Sequence, residues 1–410
     1  MISDMKFLPS GVPRAPLRTF SMSMLVALFL LLWGIYAAFL CFGLGLNQTN
    51  MNDYFAFGLW IVFDVGIIAL GAGAFFTGFL AYVLGRAEAR LMVYPAVVLG
   101  FICYSSAIAT LMVDIGQPLR AWFTFWHANV QSMLTEVVFC LTVYLLVLAV
   151  EFLPLLLDNR QIGRWREFHL FSHNLHRFMI VFAALGAFLS FFHQGSLGGM
   201  YGVLGGRPFV FREGFMIWPW TFFLFILSAI AAGPCFTTLV VMLTEKISGR
   251  RLIPTEVKCF MGRISGFILL GYLVLKFGDT LYWMNNLLPS AGLTLAQVFP
   301  APYGVWLCCL ELGLGGVVPV VLLLWSRSRQ NPWGRGIGMF LTCLGVLLNQ
   351  FMVNIPALAL PVLPFEKLMV YVPSWQEWGV LVGCLGYGIM VFSLAYRYLP
   401  LFPQEWALNN

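Results

Sequence analysis

The chain has 410 residues, 60% of them hydrophobic and only 10% charged, with a formal net charge of +6. Apolar runs recur along its whole length, which excludes a soluble domain and identifies an all-α polytopic membrane protein. The surplus of basic residues suits anionic lipid at a membrane rim and not nucleic acid.

Ten spans are expected, at roughly 21–44, 54–84, 90–113, 130–154, 172–194, 215–245, 259–284, 303–326, 336–357 and 377–398, each near or above the ~20 residues that cross a bilayer as a helix. Residues 1–20 form a polar N-terminal segment, and the first apolar run reads as a retained span, because no small-residue cleavage site follows it. With the N-terminus inside, 18 of the 23 Lys and Arg residues fall on the cytoplasmic side, leaving Arg120, Arg207, Arg212, Lys276 and Lys367 outside. The positive-inside rule therefore puts both termini in the cytoplasm, with 399–410 as a cytoplasmic tail.

The second to fifth spans (54–199) and the sixth to ninth (215–357) read as two copies of one four-helix bundle. "GAGAFFTG" at 71–78 matches "AAGPCFTT" at 231–238, aligning Gly73 with Gly233 and Trp60 with Trp220. "VDIG" at 113–116 matches "LKFG" at 275–278, "LTEVV" at 134–138 matches "CLELG" at 309–313, and "LGAFLSFF" at 185–192 matches "LGVLLNQF" at 344–351. Four helices separate the copies, so both share one orientation, a parallel repeat flanked by the first and tenth spans.

Ionisable residues inside a bilayer are costly unless paired or wetted, so each is a functional candidate. In chain order they are Asp64, Asp114, Glu136, His193, Lys276, Asp279 and Glu311, all expected in the outer half of the membrane. Plainer roles exist for each. Asp114 and Asp279 suit interfacial caps, Lys276 suits snorkelling, Glu136 and Glu311 suit a structural ion pair, and His193 suits a bond to a carbonyl. The outer segments "LRAWFTFWHANVQ" (119–131), "GGMYGVLGGRPFVFREGF" (198–215) and "VPSWQEWG" (372–379) suit either an interfacial aromatic belt or a platform for a partner.

The nine cysteines contain no C-x-x-C and read as small packing residues, so no iron–sulfur cluster and no other metal site is expected in this chain. Of the five histidines only His193 approaches the membrane interior, and a b-type haem needs two facing imidazoles, so no haem is expected. Carboxylates and an imidazole in an aromatic-lined membrane pocket suit a quinone, whose two oxygens take up protons as electrons arrive. Asp114 and His193 are expected to bracket its headgroup between the second and fifth spans. Asp64 and Glu136 stand behind as proton relays, and Trp60, Arg120, Trp122, Trp126 and Gln194 make ring contacts. In the second bundle Lys276, Asp279 and Glu311 are expected to form a network that couples quinone chemistry to charge movement, with Glu136 linking the bundles and hydroxyls such as Tyr82, Thr77, Thr237, Thr238 and Ser265 leading inward. Two other readings remain open, an ion or solute transporter built on the parallel repeat and a passive membrane anchor.

"FAFGLWIVFDVGIIALGAGAFFTGFLAYVLGR" (55–86), "MVDIGQP", "TEVVFCLTVYLLVLAVEFLP" (135–154), "ALGAFLSFFHQGSLGG" (184–199), "LKFGD" (275–279) and "VPSWQEWGVLVG" (372–383) together resemble the NrfD/PsrC (polysulfide reductase-like) family of integral membrane subunits, in its HybB-like ten-helix branch. The resemblance covers about 55–400. It implies a menaquinone-interacting anchor in the bacterial inner membrane, exchanging electrons with partners on the periplasmic face. Those partners would be a ferredoxin-like iron–sulfur subunit, a molybdopterin-type large subunit or relative, and a multihaem cytochrome c. It also implies a quinone site on the outer side of the first bundle, at Asp64, Asp114, Glu136 and His193.

Overall fold

The computed structural model describes residues 17–159, 162, 165–215, 218–299, 302–361 and 367–402. Most of the N-terminal segment 1–20, the tail from 403 onward, and the rim residues Lys6, Arg14, Arg160 and Arg164 lie outside the described residues.

Lipid offers a peptide group no hydrogen bond, so each apolar run closes its own backbone bonds as a helix. Among the described residues ten helices are long and apolar enough to span: Leu17–Leu44, Leu59–Val83, Val93–Asp114, Thr135–Leu157, Met179–Gly202, Trp220–Ser248, Thr255–Ser290, Val305–Leu324, Pro332–Ala359 and Trp375–Tyr398. A two-residue antiparallel pair, Gly214–Phe215 with Trp218–Pro219, lies in the connection before the sixth span.

Two departures from the expected boundaries matter. The fifth span starts at Met179, because 166–177 forms a separate amphipathic helix ahead of it. Its polar and apolar faces suit a membrane surface better than a membrane interior. The seventh span does not stop after "LKFG". It runs on to Ser290, so Lys276 and Asp279 lie within the helix and not at its end. The matching segment "VDIG" does stop, at Gly116, whose φ of +68° ends the third span.

Spans two to five pack on one another, as do spans six to nine, and span one lies along span ten. Gly73 and Gly233, the positions aligned by the internal repeat, meet each other where spans two and six cross. A Cβ on either would run into the other's backbone. Equivalent residues touch only on a local two-fold axis, and small residues there let the backbones close up.

Candidate functional site

Asp64 sits five residues into the second span, 6% exposed, and its Oδ1 has no hydrogen-bond partner. Trp60, one turn earlier on the same face, is wholly buried, and its indole N–H donates to the carbonyl of Glu377 at 3.1 Å. Trp60 therefore locks span two to span ten and is not a free ring surface. Asp114 is the last residue of the third span, half-buried. Capping does not explain an acid there, since the carbonyl end of a helix dipole repels negative charge. Asp114 lies within electrostatic range of both Asp64 and Glu377.

Glu377 was not among the residues expected from sequence. It is the third residue of the last span, fully buried, in a capping box with Ser374. Its carboxylate accepts from the backbone N–H of Asn50 (3.1 Å) and of Ser374 (2.7 Å), and from the hydroxyl of Tyr371. Tyr371 accepts in turn from the N–H of Leu59 at 2.8 Å. Burial, and then the bond to Glu377, push the Tyr371 phenol well above its ordinary range, so it remains a donor. In the sequence Ser374-x-x-Glu377 reads as an ordinary helix start, which conceals that this carboxylate lies within electrostatic range of Asp114.

A cleft of about 370 Å³ opens between spans one, three and ten. Its wall on the third span runs from Val113, beside Asp114, to Ser105, a distance of ~12 Å along the helix. On span ten it runs from Val380 past Cys384 to Tyr387, 2.9 Å from the Ser105 hydroxyl. Ser106 also lines the cleft, and its buried hydroxyl has no partner. The cleft thus lies on the opposite side of span three from the bundle interior in which a pocket was expected.

The structure separates the two residues expected to bracket a headgroup. His193 stands nine residues before the end of its span at Gly202, and its ring centroid is 6.0 Å from that of Tyr104. Tyr104 lies ten residues, ~15 Å, deeper along span three than Asp114. His193 is therefore near mid-membrane and not at the outer end. It is fully buried, and neither ring nitrogen has a hydrogen-bond partner. Gln194 beside it is equally buried and unpartnered, while Tyr104 and Ser190 share a bond of 3.1 Å. The described side chains of His127 and His173 are exposed. Glu136 is half-buried and makes no ion pair among the described residues. Arg120 is exposed, as are Trp122 and Trp126, at 52% and 75%. A second residue that sequence reasoning missed is Glu151, buried in the inner part of span four, where few ionisable groups were expected.

In the second bundle Lys276 Nζ lies 3.6 Å from Glu311 Oε1 and donates to Asn349 Oδ1 at 3.0 Å. Asp279 does not join them. It pairs with Arg212 at 2.9 Å, from the connection between the bundles. Glu311 sits in a π-helical stretch, Cys309–Val317, beside a void of about 10 Å³ lined also by Tyr272, Gly315, Gly316 and Gly345. That is room for roughly one water. Among the described residues no group of three or more His, Cys, Asp or Glu side chains is placed to hold a metal ion.

Fold and site together define a polytopic integral membrane protein of two four-helix bundles, with a cleft between spans one, three and ten that ends beside Asp114. The chain is 50% identical over 409 residues to the menaquinone reductase, integral membrane subunit, of Nitratidesulfovibrio vulgaris (strain Hildenborough), covering 99% of this chain and 98% of that one. It belongs to the family of that subunit. It is also 26% identical to the "Probable Ni/Fe-hydrogenase 2 b-type cytochrome subunit" of Escherichia coli (strain K12), over 89% of this chain and 88% of that one. To one of the subunits of the selenate reductase of Mesobacillus selenatarsenatis (strain SF-1) it is 21% identical, over 92% and 93%. The family resemblance carried by the sequence motifs is borne out by these relatives. No protein-family model matches the sequence.

Proposed function

We propose that this chain is the quinone-site subunit of a Qrc-type respiratory complex in the bacterial inner membrane, reducing menaquinone with electrons from partner subunits on the periplasmic face. The observation that carries the reading is a cleft of about 370 Å³ whose wall on span three ends at Val113, beside the half-buried Asp114, with the buried Asp64 in electrostatic range of Asp114. A quinone is a membrane-soluble, flat ring that needs two protons as two electrons arrive, and buried acids beside its oxygens supply them. The cleft between spans one, three and ten admits the ring from the bilayer and leaves its isoprenoid tail in lipid. Asp114, nearest the mouth, transfers a proton to one oxygen, and Asp64 recharges it. Glu377 holds the acids in a fixed field and, through Trp60 and Tyr371, holds the cleft walls together. His193, Gln194, Tyr104 and Ser190 form a deeper polar layer on the far side of span three, from which protons reach the acids. The exposed Arg120, Trp122 and Trp126 suit the mouth and the docking of an electron-donating partner, for which an iron–sulfur protein, a molybdopterin-type relative and a multihaem cytochrome c are the fitting chemistries.

The test uses the whole complex with a soluble naphthoquinone. Asp114→Asn is expected to lower turnover by about 100-fold, the usual worth of a positioned proton donor. Ala109→Trp, which fills the cleft without touching an acid, is expected to raise KM far more than it lowers kcat. Near-normal KM in Ala109→Trp would move the quinone elsewhere, and near-normal turnover in Asp114→Asn would remove the acids from the chemistry.

A further inference from the structure

Span nine carries three carboxamides in one and a half turns of an otherwise apolar stretch, and all three are buried: Asn349, Gln350 and Asn354. The helix packs against spans six, seven and eight of its own bundle and also against span two of the other. At the second-bundle end, Asn349 Oδ1 accepts from Lys276, itself 3.6 Å from Glu311. At the other end, Asn354 Oδ1 accepts from the hydroxyl of Tyr201 at 2.5 Å. Tyr201 belongs to the first bundle, is 2% exposed, and lies within electrostatic range of both Asp64 and Asp114. Between the two ends, Asn354 Nδ2 donates to the backbone carbonyl of Gln350 at 2.8 Å. The Gln350 side chain has neither donor nor acceptor satisfied. A buried amide left open on both sides is rare and marks either a bound water or a working role. The void beside Glu311 offers a further place for one water.

We infer that span nine is the proton connection between the two bundles, running from the Lys276–Glu311 pair along Asn349, Gln350 and Asn354 to Tyr201 and so to the Asp64–Asp114 site. The inference rests on the quinone reading of that site. Glu136, the link expected from sequence, makes no such bridge, and Asp279 is held by Arg212 instead. The amides do not titrate. They hold water in line, while Tyr201, Lys276 and Glu311 pass the proton. The balance is simple. Two electrons leave an iron–sulfur or haem centre of a partner subunit, which is oxidised, and enter the quinone, which is reduced to the quinol. Of the two protons that Asp114 and Asp64 lose to the quinone oxygens, one is replaced through the layer of His193 and Tyr104 and the other by one moving along span nine from the Lys276–Glu311 pair. That pair is recharged from bulk water on the cytoplasmic side, by way of the single water that the void beside Glu311 can hold.

The experiment measures charge moved per quinone reduced by the complex in liposomes, with a potential-sensitive dye and a soluble naphthoquinone. Gln350→Leu keeps the volume and removes the amide, and Tyr201→Phe keeps the ring and removes only the hydroxyl. Each is expected to reduce that ratio at least about twofold, and combining either with Lys276→Met is expected to cost no more than the single change, as members of one chain behave. Tyr201→Phe leaves packing intact, so it decides the matter if Gln350→Leu fails to assemble. An unchanged ratio in Tyr201→Phe, or effects that add fully with Lys276→Met, overturns the connection while leaving the quinone reading standing. Normal turnover in Asp114→Asn overturns both.

Discussion

A charged side chain deep in the molecule needs a partner, and the partners in this structure are specific. Arg212 and Asp279 are 10% and 5% exposed and 2.9 Å apart, with the guanidinium also over the Trp283 ring at 5.1 Å. This pair pins the connection between the bundles to the seventh span. Breaking it from one side leaves a buried charge alone, which costs about 3–5 kcal/mol. Arg212→Ala is therefore expected to lower the unfolding temperature of the purified complex sharply, and Arg212→Ala with Asp279→Ala together to recover part of the loss. A thermal-shift series on the three variants checks this. No recovery in the double variant would show that the pair is not the reason for the loss. The contrast with Lys276 is informative: its partners, Glu311 at 3.6 Å and a neutral amide at 3.0 Å, leave it less tightly held.

Among the elements, the crossing of spans two and six is the joint on which the two bundles hang. Gly73 and Gly233 bring two backbones into direct contact, and the Thr237 hydroxyl, bonded to the Gly233 carbonyl at 3.1 Å, packs into the same crossing. The atom that an added methyl at either glycine would meet first belongs to the backbone, which cannot move aside as a side chain can. Gly73→Ala is expected to destabilise the assembled protein by about 1–3 kcal/mol, as overpacking does, and Gly233→Ala to do the same. By comparison Gly271→Ala, whose added methyl meets nothing, is expected to be silent. Equal melting temperatures for all three would remove the crossing from its structural role. The flanking spans one and ten also change meaning at this scale. They supply two of the three walls of the cleft, so they belong to the site and not merely to its frame.

For the whole molecule, the distribution of Lys and Arg predicts both termini in the cytoplasm, an orientation that would put the Asp114 end of the cleft outside. An alkaline phosphatase fused to the C-terminus is expected to be inactive, and one inserted at Gly205–Gly206, in the connection between the bundles, active. The reverse pattern would turn the site toward the cytoplasm and displace the proposed partners. Glu151 is buried late in span four, at the other end of the bundle from Asp114, so the protein has acids toward both ends of its helices. Two routes to the site, one through the layer of His193 and Tyr104 and one through span nine, are then compatible with a single electron entry from outside.

The number of spans and the candidate charges were legible in the sequence. Lipid as a solvent forces each crossing to be a long apolar helix, and any charge inside such a run stands out. The family followed from ordered motifs over most of the chain. What could not be read was which charges meet. The start of the fifth span depended on whether 172–178 enters the membrane or lies on its surface, and that choice alone moved His193 from the outer end to the middle. Asp279 found Arg212 from a distant connection instead of its neighbour Lys276. Glu377 passed as a helix cap until the fold brought span ten against Asp114. Local sequence sets the helices because backbone bonding is local, whereas pairing between helices depends on side chains tens to hundreds of residues apart in the chain, and only their packing decides it.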